Sequence, residues 1–68
     1  MREFKLISEY IELIKLLKLL HIAETGGHAK ILVEYEEVFV NGKQEFRKRV
    51  KLNSGDQIEI SGEKNLIL

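Results

Sequence analysis

The stretch Val38-Phe39-Val40-Asn41-Gly42-Lys43 decides the fold. Val38 and Val40 recur at the period of two that gives a strand one buried face. Asn41-Gly42 is a dipeptide whose members both tolerate positive φ, as a two-residue hairpin turn demands. A returning strand must follow. It is expected over Phe46 to Leu52, with Phe46, Lys48, Val50 and Leu52 on one face and Arg47, Arg49 and Lys51 on the other. Farther along, Gly55-Asp56 turns the chain and Ile58 and Ile60 alternate with Gln57 and Glu59. Ser61-Gly62 then leads through Lys64-Asn65 to a last strand, Leu66 to Leu68.

Upstream of the hairpin the period changes. Tyr10, Leu13, Ile14, Leu17 and Leu20 follow the i, i+3, i+4, i+7 spacing of a buried helical stripe, widened by Leu16, with Ser8 as the expected N-cap and Glu9 in the first turn. Lys18 borders that stripe. Thr25-Gly26-Gly27-His28-Ala29-Lys30 reads as a connection closed by a Thr cap on a second, short helix, whose apolar face is Ala29, Leu32 and Val33 and which ends near Glu36 and Glu37. Two helices joined this closely pack as a hairpin. Phe4 to Ile7 is expected to form a first edge strand.

The 68 residues suffice for one core, so residues 1–68 are taken as a single domain. With no cysteine, neither a disulfide nor a thiolate metal site assists that core. The apolar segment Leu13 to Ala23 is interrupted by Lys15 and Lys18, which points to a soluble, cytoplasmic protein. Eleven basic against eleven acidic residues exclude a globally basic nucleic-acid binder, so any electrostatic function rests on segregated charge. Segregation is present. Lys43, Arg47, Lys48, Arg49 and Lys51 share a stretch with one anion, Glu45, while Glu34, Glu36 and Glu37 cluster upstream.

Alternate residues on a strand lie about 6.5–7 Å apart, so Arg47, Arg49 and Lys51 would form a row able to track phosphates, with each guanidinium offering a bidentate fork. At Thr25-Gly26-Gly27 the open N–H groups of a helix start, next to residues without Cβ, admit close approach of a phosphate or ribose, and Lys18, His28 and Lys30 stand near in sequence. A charged edge strand that blocks aggregation and a plain capped turn are the alternatives for the two features. Two histidines, no cysteine and scattered carboxylates assemble no nucleophile–base pair and no metal set, so neither an enzyme nor a cofactor is expected.

The order of helix, Thr25-Gly26-Gly27, Val38-Phe39-Val40-Asn41-Gly42, basic segment, Gly55-Asp56 and Ile58-Glu59-Ile60 resembles the S-four-type RNA-binding domain, or alpha-L motif, over residues 8 to 62. Leu17-Lys18-Leu19, Ala29-Lys30, Arg47 and Lys51-Leu52 look like its small, free-standing bacterial branch of YaaA-like proteins. The resemblance implies an α+β fold, a two-helix hairpin on a small, mainly antiparallel sheet of about four to five short strands. It also implies a non-catalytic module for structured RNA, commonly ribosomal RNA, which makes a ribosomal subunit one candidate partner. The charge pattern and the helix start read above make Lys18, Thr25, Gly26, Gly27, His28, Lys30, Lys43, Arg47, Lys48, Arg49 and Lys51 the expected RNA-binding surface. Two positions depart from the larger family members: Gly26 stands where they carry Arg after the cap, as is typical of the small branch, and Glu36 stands where they carry Gly. A β-grasp-like protein-interaction adaptor is the other reading, since Val40-Asn41-Gly42 and Gly55-Asp56-Gln57-Ile58 also occur there. A sulfur carrier of that type would end in Gly-Gly, whereas this sequence ends Asn65-Leu66-Ile67-Leu68.

Overall fold

The computed structural model describes residues 1–35 and 37–68. Nine elements follow in order: β1 (Arg2–Phe4), β2 (Ile11–Glu12), α1 (Leu13–Leu19), α2 (Gly26–Tyr35), β3 (Phe39–Val40), β4 (Lys43–Gln44), β5 (Lys51–Leu52), β6 (Gln57–Ile60) and β7 (Glu63–Ile67). The larger sheet has five strands in the order β1-β7-β6-β3-β4, and β2 pairs with β5 in a second, two-stranded ladder. Every pairing is antiparallel except that of β1 with β7. The α+β architecture is thus the one expected, with the helix pair packed against a mixed sheet.

Turn chemistry accounts for both hairpins. Asn41 (φ 51°) with Gly42 (φ 85°) joins β3 to β4, and Ser61 (φ 52°) with Gly62 (φ 80°) joins β6 to β7. Two successive positive φ angles match the right-handed twist of the flanking strands. The Asn41 side chain also ties the hairpin to the β5–β6 turn, where its Nδ2 donates to Asp56 Oδ1 at 3.0 Å and its Oδ1 accepts the Gln57 N–H at 2.9 Å.

Leu13, Leu16 and Leu17 from α1 meet Ala29 and Val33 from α2 over Val38, Leu52, Ile58, Ile60 and Ile67, all at most 1–2% exposed. Asn65 is buried among them, on the inward face of β7, and its amide has no hydrogen-bond partner among the described residues. Among those residues no helix is long and apolar enough to cross a membrane.

Four local expectations are overturned, among them the last strand, which is Glu63–Ile67 rather than Leu66 to Leu68 because it starts directly at the Ser61-Gly62 turn. The first strand is Arg2–Phe4 rather than Phe4 to Ile7. Ser8 does not cap α1, which begins at Leu13 with Glu12 in the N-cap position. Ser8 Oγ instead donates to the Tyr10 carbonyl at 2.8 Å, a local bond that competes with helix, and Ile11 and Glu12 are drawn into pairing with Leu52 and Lys51. Tyr10 is therefore outside the helical stripe and 42% exposed. The expected strand from Phe46 to Leu52 is also absent: only Lys51–Leu52 is strand, Phe46 lies 64% exposed, and Arg47 to Val50 form a turn closed by a 3.3 Å bond from the Val50 N–H to the Arg47 carbonyl.

Candidate nucleic-acid interface

The start of α1 has no side-chain cap. Its first two N–H groups, on Leu13 and Ile14, instead donate to the carbonyls of Val50 and Lys48, each at 3.0 Å. Segment 45–50 is thereby pinned across the helix start by its own backbone, satisfying donors that would otherwise be orphaned. Val50 packs against the core, while the cations Arg47, Lys48 and Arg49, with Lys51 next to them in sequence, are all exposed. The cations thus cluster on a turn and do not form a row at strand spacing, because Glu45 bends the chain. The Glu45 carboxylate accepts the Arg47 N–H and Nε at Oε2, both at 3.0 Å, and Arg47 Nη2 at Oε1, also 3.0 Å.

This pair leaves Arg47 competent to bind an anion. Nε and one Nη2 hydrogen face Glu45, while the terminal fork of Nη1 and the outer Nη2 hydrogen has no partner among the described residues and projects from a side chain 76% exposed. The Arg47 guanidinium, by hydrogen bonding, holds the Glu45 carboxyl below the usual carboxylate range against a smaller opposing effect of burial. Glu45 in turn raises the Arg47 guanidinium above its ordinary value. Glu45 is a positioning residue that the sequence presents only as a lone anion in a basic run; its spacing of two from Arg47 is the available signal. Lys51 is steadied differently, with its Nζ 4.7 Å from the centre of the Tyr10 ring. Lys43 stands apart on β4, exposed.

The other group forms at the far end of α1, about 10 Å along a seven-residue helix. There the chain leaves the helix through a reversal in which the Ile22 N–H donates to Leu17 O at 3.0 Å and the His21 N–H to Lys18 O at 3.1 Å, with His21 at φ 61°. This is the six-to-one, five-to-two pattern of a helix end closed by a left-handed residue, with His where Gly is usual. Arg2 Nη2 adds a bond to the Leu20 carbonyl at 2.9 Å. His21 is thus a helix-terminal residue. Thr25 caps α2 as expected, its Oγ1 accepting the His28 N–H at 3.0 Å. His28 Nδ1 accepts the Glu24 N–H at 3.1 Å, which places the ring proton on Nε2 and presents that N–H outward.

Gly26 and Gly27 open the helix with N–H groups that have no intrahelical acceptor. A Cβ built at Gly26 would meet nothing within 4 Å, and one at Gly27 only Thr25 Oγ1 at 3.9 Å. Packing does not require glycine here, so its one local effect is to leave the backbone open. Lys18 and Lys30 are exposed on the two helices this connection joins. The structure therefore divides the expected residues between two ends of α1: Lys18, Thr25, Gly26, Gly27, His28 and Lys30 at one, and Arg47, Lys48, Arg49 and Lys51 at the other. Glu36 lies outside the described residues. Among them, no group of three or more His, Asp or Glu side chains is placed to hold a metal ion.

The family model for the S4 domain matches residues 4–68. The chain belongs to the S4 domain family. It is 40% identical over 55 residues to the "Probable ribosome maturation protein RlbA" of Bacillus subtilis (strain 168), an alignment covering 81% of this chain and 78% of that one. It is also 40% identical over 53 residues to the "Putative RNA-binding protein YbcJ" of Escherichia coli (strain K12), covering 78% and 76%. The solution structure of E. coli YbcJ, described as revealing an "alfaL motif involved in RNA-binding", superposes with a TM-score of 0.76 at 35% identity. That superposition covers 100% of this chain and 87% of the other. This S4 domain thus shares the alpha-L architecture of that structure.

Proposed function

We propose that this S4 domain is a non-catalytic module that binds structured RNA through its phosphate backbone. The observation that carries the reading is segment 45–50. In a chain of zero net charge, three consecutive exposed cations, Arg47, Lys48 and Arg49, sit on a turn whose carbonyls are fixed to a helix start and whose first guanidinium is held by Glu45. Preorganised forks lose less conformational freedom on meeting a phosphate than mobile ones do. The glycine-opened start of α2 supplies a second anchor about a helix length away. Two separated contacts suit the shape of a folded RNA better than one extended strand. Aromatic stacking is a smaller contributor in this reading, since the chain has five aromatic rings, three Phe and two Tyr, of which Tyr10, Tyr35 and Phe46 are the exposed ones. The names of the relatives agree with RNA as the partner. The ribosome-maturation name borne by the B. subtilis relative makes ribosomal RNA the first target to try.

The test is fluorescence anisotropy with ribosomal RNA fragments over a salt series. If about five phosphates are engaged, affinity falls by about two to three decades between about 50 and 200 mM salt. Arg47→Gln with Arg49→Gln should lower the log–log salt slope by about 2 while leaving helicity intact. An unchanged slope and affinity in that double variant would refute the assignment. Co-sedimentation of the wild-type chain with ribosomal subunits tests the ribosomal target separately.

A further inference from the structure

Among the described residues nothing pairs with the outer side of β1, the terminal strand of the larger sheet. The inner side fixes which groups face outward. Leu68 N–H donates to the Phe4 carbonyl at 2.8 Å, and Leu6 N–H donates to the Leu68 carbonyl at 3.0 Å. Backbone groups alternate along a strand, so the N–H and C=O of Glu3 and Lys5 point to the open side. A strand added antiparallel there must use Glu3 and Lys5 as its hydrogen-bonded positions.

We propose that the strand is β1 of a second copy of this chain, paired across a two-fold axis that passes through Phe4. An isologous antiparallel pair that uses these positions has three registers. Glu3 facing its own copy, or Lys5 facing its own copy, sets like charges in contact across the strands. The third sets Glu3 against Lys5 of the second copy on each side of a central Phe4–Phe4 contact, giving two opposite-charge pairs and four backbone hydrogen bonds. Charge on an edge strand usually repels added strands. Here the sign reverses about Phe4, so the edge repels most strands yet complements its own two-fold image.

The same register explains exposed apolar surface. Beyond the two charge pairs it also brings the side chains of Met1, 75% exposed, and Ile7 of the second copy, 95% exposed, near each other. On the other face Phe4 points toward the helices, as its parallel partner Ile67 does. The Phe4 ring of the second copy would enter the groove bordered by Leu6 and Leu19, the latter 50% exposed.

Sedimentation equilibrium on the full chain, from about 1 to about 500 µM, should show mass rising from 7.9 kDa toward twice that value. Glu3→Lys alone and Lys5→Glu alone should each weaken association by about tenfold or more, because symmetry applies the reversal at both pairs. The double swap should restore the constant to within about threefold of wild type. Circular dichroism verifies that each variant is folded. A monomer at every concentration would overturn the proposal and leave the edge to a strand from another protein. A dimer indifferent to the single reversals, or one not recovered by the double swap, would overturn it equally.

Discussion

Replacing His21 by glycine should stabilise the protein. The residue ends α1 at φ 61°, where an L side chain crowds its own carbonyl at a cost of about 1–2 kcal/mol, and its imidazole is exposed, so no buried contact is lost with it. Glycine removes that crowding but gives back about 0.5–1 kcal/mol through the greater freedom of the unfolded chain. The bonds from Ile22 and His21 N–H groups to Leu17 and Lys18 are backbone bonds and survive the change. The net gain is about 0.5–1 kcal/mol, which for a domain of this size raises Tm by about 3–6 °C. Thermal unfolding followed by circular dichroism at 222 nm reads this directly, with His21→Val as the opposite control, since a β-branched residue at positive φ should lower Tm. An unchanged or lower Tm for His21→Gly would mean that the imidazole makes a stabilising interaction and that the reversal is not strained.

Two further outcomes follow. Asn65→Leu should stabilise by about 1–3 kcal/mol in chemical denaturation, because it replaces a buried amide without a partner among the described residues by an apolar side chain of similar size; a loss of stability would reveal a partner for that amide. The Glu45 carboxyl, held down by Arg47, contributes stability above the usual carboxylate range that is lost as pH falls through its lowered folded value. Carbon-detected NMR should therefore place the Glu45 midpoint below that of the exposed, unpaired glutamates, moving up toward theirs in Arg47→Ala, and a wild-type midpoint level with theirs would dissolve the pair.

What the sequence disclosed and what it hid divide along physical lines. Asn41-Gly42, the Thr25 cap and the Ile58–Ile60 alternation each depend on neighbours a few residues away, and each stands where expected. The start of α1 was hidden because its cap is Lys48 and Val50, more than thirty residues downstream, while Ser8 offers a persuasive local substitute. Parallel pairing of β1 with β7 joins the two ends of the chain and leaves no local trace. In the candidate interface the residue types were legible but their arrangement was not. Alternation from Phe46 to Leu52 looks like a strand until Glu45 is seen to claim both the backbone and the guanidinium of Arg47.

Surface loops ordinarily accept insertions, because nothing specific depends on their length. Segment 45–50 has lost that tolerance. Two of its carbonyls serve as the terminus of another element, so even one added residue would shift them out of step with Leu13 and Ile14 and unravel the first turn of α1. Evolutionary change in this part of the surface is thereby channelled into side-chain identity at constant length, and ligand preference can vary there without redrawing the backbone.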